Sequence, residues 1–134
     1  MTTTPTTGTP VLLGEFEVPG TPVPKARPRV AQDRRGRNRT HTPARTLDAE
    51  EAVRTAWAET VRRRYLDKTW RYRLELEFYG AHGSADVDNL CKLVADALNG
   101  WAWADDRQIT ELQAVKRAAP AAARRTRVRV FRVE

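Results

Sequence analysis

Cysteine, histidine and methionine are scarce in this chain, with one Cys, two His and one Met among 134 residues. With Cys91 alone no internal disulfide can form, and a reducing compartment is the natural home. Its neighbours Leu90 and Val94 mark the thiol as a packed core group and not as a nucleophile. His41 and His82 lack the spaced partners that a zinc site needs. Long apolar runs are missing too. No stretch approaches the roughly eighteen residues of a membrane span. The N-terminus opens on Thr and Pro in place of a charged region and an apolar run. Neither secretion nor membrane insertion is expected, and a cytoplasmic location is.

What the chain has in excess is positive charge. Lys and Arg number 24 against 17 Asp and Glu, a formal net charge of +7. Most of the excess is Arg, whose planar fork matches phosphate oxygens, so a nucleic acid is the expected partner. The length suits one domain with a modest core. Residues 1 to 10, rich in Thr and Pro, read as a disordered tail, and residues 11 to 134 as the single folded domain.

Within that domain Val11 to Val18 reads as a strand closed by Pro19-Gly20. The next segment is basic: Lys25, Arg27, Arg29, Arg34, Arg35, Arg37, Arg39 and Arg45 face the single acid Asp33. Like charges at this density repel one another, so a mobile loop over about residues 30 to 45 is expected, gripping DNA phosphates. Thr46 reads as the N-cap of a helix reaching about Arg64, with Val53, Ala56, Trp57, Thr60, Val61 and Tyr65 on its apolar stripe. Trp70 to Tyr79 alternates, with Trp70, Tyr72, Leu74, Leu76 and Phe78 on one face and Arg71, Arg73, Glu75 and Glu77 on the other. Glu75 and Glu77 read first as ion-pair partners of neighbouring arginines and second as supplements to a nearby site. Gln108 to Lys116 and Arg124 to Val133 read as a closing hairpin. Lys116, Arg117 and the alternating arginines of the last segment form either a further phosphate footprint or an ordinary solvated face. The fold class is α+β, a mixed sheet of about four strands covered by two helices.

Chemistry concentrates between the second strand and the closing pair. Asp86 and Asp88, two apart in extended chain, project to the same side. Asp88 sits where the N-cap of a second helix belongs, and Lys92 lies one turn further on the same face. Val87, Leu90, Cys91, Val94, Ala97 and Leu98 form the apolar stripe, and Asn99-Gly100 stops the helix. Asp96 either orients Lys92 or forms a simple surface pair with it. Trp101 and Trp103 are core plugs or interface contacts. The turn they make brings Asp105 and Asp106 back toward the helix start. Crowded carboxylates call for a counter-charge, and hard oxygens without nearby His or Cys suit Mg²⁺, with Mn²⁺ as a substitute. Acids of this kind beside one lysine are the composition of metal-assisted phosphodiester hydrolysis.

The motifs Asp86-x-Asp88-Asn89-x-x-Lys92, Asp96-Ala97-Leu98-Asn99-Gly100 and Trp103-x-Asp105-Asp106-x-Gln108-Ile109 resemble the signature of the RusA family of Holliday junction resolvases, many of them phage-encoded. Pro22-x-Pro24-Lys25-x-Arg27-Pro28-Arg29 is similar to a segment of many RusA-like proteins. The resemblance covers most of residues 11 to 117. It implies a RusA-like fold and a homodimeric, Mg²⁺-dependent endonuclease that resolves four-way DNA by paired symmetric nicks in recombination and repair, in a bacterial or phage setting. By position, the essential acids of the family fall on Asp86, Asp88 and Asp106 and its essential lysine on Lys92, with Asp105 as the neighbouring aspartate. The longer N-terminal tail and the different basic loop depart from the shorter enterobacterial form. A branched-DNA-binding protein without cleavage activity and a small structure-specific RNA nuclease are the competing readings.

Overall fold

A computed structural model describes residues 9–26, 29–32, 36, 38–41 and 43–134, the segments 29–32 and 38–41 by their backbone alone. The tail expected to be disordered lies almost wholly outside the described residues. Six strands and two helices follow in the order β1 (Val11–Pro19), β2 (Arg29–Gln32), β3 (Asn38–His41), α1 (Ala44–Thr60), β4 (Arg71–Tyr79), α2 (Val87–Ala97), β5 (Ile109–Arg117) and β6 (Arg125–Val133). Four of the strands form a mixed sheet in the order β1-β6-β4-β5, and β2 and β3 form a separate antiparallel ribbon. The α+β expectation holds.

The closing pair is not a hairpin. β5 runs parallel to β4, with α2 as the crossover between them, whereas β6 inserts antiparallel between β1 and β4. Burial explains the sorting. β6 hides Thr126, Val128 and Val130 on one face and Val133 at its end, as suits an interior strand, whereas β5 leaves Leu112 exposed at the sheet edge. The ribbon falls within the segment expected to be a loop, with Arg29 opposite His41 and Ala31 opposite Arg39.

Both helices contribute to one core. Tyr72, Leu74, Leu76 and Phe78 of β4 are buried with Val128 and Val130 of β6, Trp57 of α1, and Leu90, Val94, Ala97 and Leu98 of α2. The alternation seen in β4 therefore marks its buried face correctly. α1 begins earlier and ends sooner than its sequence signals imply. Its N-cap is Pro43, and Thr46 is a buried residue of the first turn, because the amides of Thr46 and Leu47 both find the Pro43 carbonyl. At the other end Arg62 takes a positive φ of 59°, which turns the chain out of the helix. The indole Nε1 of the fully buried Trp57 then donates to the Arg63 carbonyl at 2.8 Å, tying the exit to the helix.

β1 crosses beneath that indole at Gly14, where a Cβ would collide with Val61 and Trp57. Rings run on from there in edge and tilted contacts, Phe16 to Trp57, Trp57 to Tyr65, Tyr65 to Trp70, Trp70 to Tyr72 and Tyr72 to Trp103. Of the two tryptophans read as plugs or interface contacts, Trp103 is fully buried. Trp101 is half-buried under the Arg64 guanidinium, 3.8 Å from the ring centre. Trp57→Ala should cost about 3–5 kcal/mol of stability, read as a fall in the urea unfolding midpoint with little change in slope.

Candidate active site

α2 brings the acidic motif and its lysine to one side of the sheet. Its apolar stripe, Leu90, Leu93, Val94, Ala97 and Leu98, is buried to 3 % exposure or less. That burial fixes the rotation of the helix, so Asp88, Lys92 and Asp96 emerge on the opposite stripe. Val87, expected on the apolar face, is exposed at the helix start. The N-cap is Asp86 and not Asp88. Asp86 has the extended φ and ψ of a cap, −75° and 138°, and its carbonyl accepts from Leu90 at 3.0 Å, while Asp88 lies in the first turn. The Asp86 side chain makes no cap hydrogen bond and is left exposed. Asp88 is well placed electrostatically in the first turn, near the positive end of the helix.

Lys116 of β5 holds the approach to this helix. Its ammonium donates to the Ala85 carbonyl at 2.7 Å, directly before Asp86, and reaches the Gly83 carbonyl at 3.5 Å. Lys116, read from sequence as part of a phosphate footprint, is thus occupied by the loop that delivers the motif. At the other end of α2, Gly100 takes a φ of 81° and donates to the Trp103 carbonyl at 2.7 Å. This turn carries the chain into a short 3-10 helix at Asp106–Gln108.

The turn gives the two neighbouring aspartates different surroundings. Asp105 caps the 3-10 helix, and its carboxylate accepts from the Arg107 amide at 2.9 Å and from Nε and an Nη of the Arg107 side chain at 3.2 and 3.0 Å. These bonds hold Asp105 below the usual carboxylate range. Any cation would compete with Arg107 for it. Gln108 completes the cap through the Asp105 amide and donates to the carbonyls of Asp67 and Trp70, anchoring the turn to the start of β4.

Asp106 lies beside Asp105, its side chain within hydrogen-bonding reach of that carboxylate. It shares a groove of about 290 Å³ with Asp88 and Lys92, floored by Leu74, Cys91, Ile109 and Leu112. Burial raises the Asp106 pKa. Lys92 pulls it back, and Asp96 and Asp105 add to the rise. Cys91 in the floor is pushed to about 11, by burial first and by Asp88 second, which excludes it as a nucleophile at neutral pH.

Asp88, Lys92 and Asp106 thus line one groove, but among the described residues no three Asp, Glu, His or Cys side chains gather closely enough to hold a metal ion together. The expected three-acid convergence of Asp86, Asp88 and Asp106 is not closed. Two carboxylates still suit Mg²⁺, which commonly takes one or two and completes its shell with waters and phosphate oxygens.

The basic residues divide as well. Lys25 is drawn into ion pairs with Glu50 at 2.8 Å and Asp96 at 3.3 Å, so its head group is not free for DNA. Arg27, Arg34, Arg35 and Arg37 lie outside the described residues, and Arg29 and Arg39 are described only as ribbon backbone. Three arginines of β6 face the open side of the sheet, where Arg125 pairs with Glu17, Arg127 with Glu15 and Glu77, and Arg129 with Glu15 and Glu75, whereas Arg132 stacks on the Trp70 ring at 3.8 Å. Glu75 and Glu77 are spent there too, with Arg73 and Arg117 as further partners. The roles of Lys116 and Glu50 carried no sequence signal, since nothing local to either residue names its partner. Gln108 alone was marked, by its place in the family-like motif.

Paired carboxylates and an ammonium on a β-α-β crossover of a strongly basic chain define a phosphodiester-hydrolase class of domain. The chain belongs to the RusA endodeoxyribonuclease family, whose profile matches residues 19–131, nearly its whole length. It is accordingly a small nuclease domain of hydrolytic type. A comparison with curated proteins finds no match.

The raised Asp106 pKa sets a pH dependence. The folded state binds a proton on Asp106 more tightly than the unfolded state does, so this carboxylate destabilises the metal-free fold as pH rises above its ordinary value of 3.8. Asp106→Asn should therefore raise the urea midpoint at pH 7 in metal-free buffer, and the gain should vanish below about pH 3.

Proposed function

We propose that this protein is a divalent-metal-dependent endonuclease that resolves four-way DNA junctions in recombination and repair, acting as a homodimer that nicks opposing strands symmetrically in the cytoplasm of a bacterium or phage-infected cell. The observation that carries this reading is the shared groove of Asp88, Lys92 and Asp106 in a basic chain of the RusA family. A two-fold dimer offers two such grooves to a junction with approximate two-fold symmetry.

Asp88 and Asp106 would hold the cation, with Asp86 at the helix start as the next available carboxylate. Mg²⁺, or Mn²⁺ in its place, would supply charge neutralisation at the phosphate and acidify a bound water. Lys92, whose side chain is 58 % exposed and is held by Asp96 at 3.1 Å, would turn its remaining ammonium hydrogens to a non-bridging phosphate oxygen and offset charge as it develops there. The apolar floor keeps Asp106 from full hydration. Arg27, Arg29, Arg34, Arg35, Arg37 and Arg39 supply phosphate contacts that position the substrate without reading its sequence. Asp105 serves as a cap that orients Asp106 by sharing its turn.

The missing third carboxylate favours one rival, a branched-DNA-binding protein that does not cut. Incubating the protein with a labelled synthetic four-way junction, with and without Mg²⁺ and beside linear duplex, separates the two. Nicks confined to the junction and to the Mg²⁺ lanes are expected. Retarded but uncut junction at every Mg²⁺ and Mn²⁺ concentration would establish the rival. Lys92→Ala should lose about 10²–10³ in cleavage rate while unfolding normally. Asp88→Asn should abolish cleavage and bind the junction at least as tightly as wild type, because a negative charge near the phosphates is gone.

A further inference from the structure

Asp96 holds two cations at once. Its Oδ1 accepts from the Lys92 ammonium at 3.1 Å, and its Oδ2 lies 3.3 Å from the Lys25 ammonium. Lys25 also donates to Oε2 of Glu50 at 2.8 Å, and Glu50 is a buried residue of α1. The backbone amide of Lys25 adds a bond of 2.8 Å to the Asn89 carbonyl in the first turn of α2. Alternating charges therefore run Glu50, Lys25, Asp96, Lys92, linking α1 and the root of the basic segment to the ammonium in the groove.

This arrangement differs from a solvated surface pair in two respects. A buried carboxylate such as Glu50 needs a permanent partner, since leaving it unpaired is strongly unfavourable. Lys25 is that partner, so its place is set by the fold and not by DNA. Asp96 is also engaged at both oxygens, one to each ammonium, with its side chain only 22 % exposed. Burial alone would lower the Lys25 pKa, but Glu50 and Asp96 outweigh it and leave it raised, so the link stays charged throughout the neutral range.

We propose that Lys25 is a positioning residue for cleavage: by holding Asp96 from the side opposite Lys92, it fixes the anchor that aims the Lys92 ammonium across the groove. This inference rests on the nuclease reading of that groove. Lys25 acts through Asp96 and touches no phosphate. The segment that opens the basic arm and the group that meets the scissile phosphate are thereby braced against the same carboxylate.

The test compares full-length Lys25→Met, Lys25→Arg and the double variant Lys25→Met with Glu50→Gln, which removes the stranded buried charge and preserves folding. Junction Kd is measured in EDTA, and single-turnover cleavage in Mg²⁺ at saturating protein. Lys25→Met should lose about 10–100-fold in single-turnover rate, the range typical of residues that orient a reacting group, with Kd unchanged. Lys25→Arg should recover most of the rate. The double variant should unfold like wild type yet remain slow. A weakened Kd with an intact saturated rate would make Lys25 a phosphate contact and overturn the proposal. A double variant that cuts at the wild-type rate would do the same. In DNA-free protein the Lys92 ¹Hε–¹³Cε cross-peak should move in Lys25→Met. If the wild-type protein cuts no junction the nuclease reading itself fails, whereas wild-type cleavage with an unmoved Lys92 peak overturns this proposal alone.

Discussion

Packing of α2 onto β4 is the contact on which the rest depends. Eleven residues make a helix too short to persist by itself in water. Burial of Leu90, Leu93, Val94, Ala97 and Leu98 against the sheet supplies the missing stability and at the same time sets which stripe faces outward. The outward stripe carries Asp88, Lys92 and Asp96 at four-residue spacing. The two ends of the helix are then clamped, by Lys116 on the Ala85 carbonyl before it and by the Gly100–Trp103 turn after it. An Asp106 that follows so constrained a turn has little choice of direction. The site is thus a by-product of one apolar interface and two backbone clamps.

Charge is arranged in two systems with opposite character. On the open face of the sheet Arg73, Arg117, Arg125, Arg127 and Arg129 interleave with Glu15, Glu17, Glu75 and Glu77. That face neutralises itself, and each exposed pair contributes at most about 1 kcal/mol. It accounts for little of the net charge of +7. In the groove on the helical side, burial and the neighbouring acids Asp96 and Asp105 raise Asp106 against the pull of Lys92, and Arg107 is attracted to it as well. A large cavity of about 380 Å³ on the sheet face, lined by Glu75, Glu77, Arg127 and Arg129, therefore has no unmet electrostatic demand. In the smaller groove the net rise of Asp106 is what a bound cation would reverse.

Membership of the RusA family and the geometry of the groove support each other from independent directions. The family match spans sequence from residue 19 to residue 131 and says nothing of side-chain placement. The structure places Asp88, Lys92 and Asp106 together, and those positions are among the ones singled out by the family-like motifs. Asp86 and Asp105 show how a motif can outrun geometry. One is a helix cap with an unengaged carboxylate, and the other is held by Arg107.

Local pattern by itself determined a good deal. The two-residue alternation of β4, the helical stripe of α2, the stop at Gly100, the buried Cys91 and the pairing of Asp96 with Lys92 were all legible, because each depends on neighbours within a few residues. Strand order was not legible. β6 separates β1 from β4 because Thr126, Val128 and Val130 on its inward face are buried, and no short-range signal distinguishes an interior strand from a hairpin partner. Nor did the sequence reveal that Lys25, in a segment that reads as DNA-binding, is claimed by Glu50 and Asp96. Such partners lie far apart along the chain, and only the closure of the core brings them within bonding distance. Pattern sets what each stretch becomes, whereas the shared burial of distant stretches decides which charges meet.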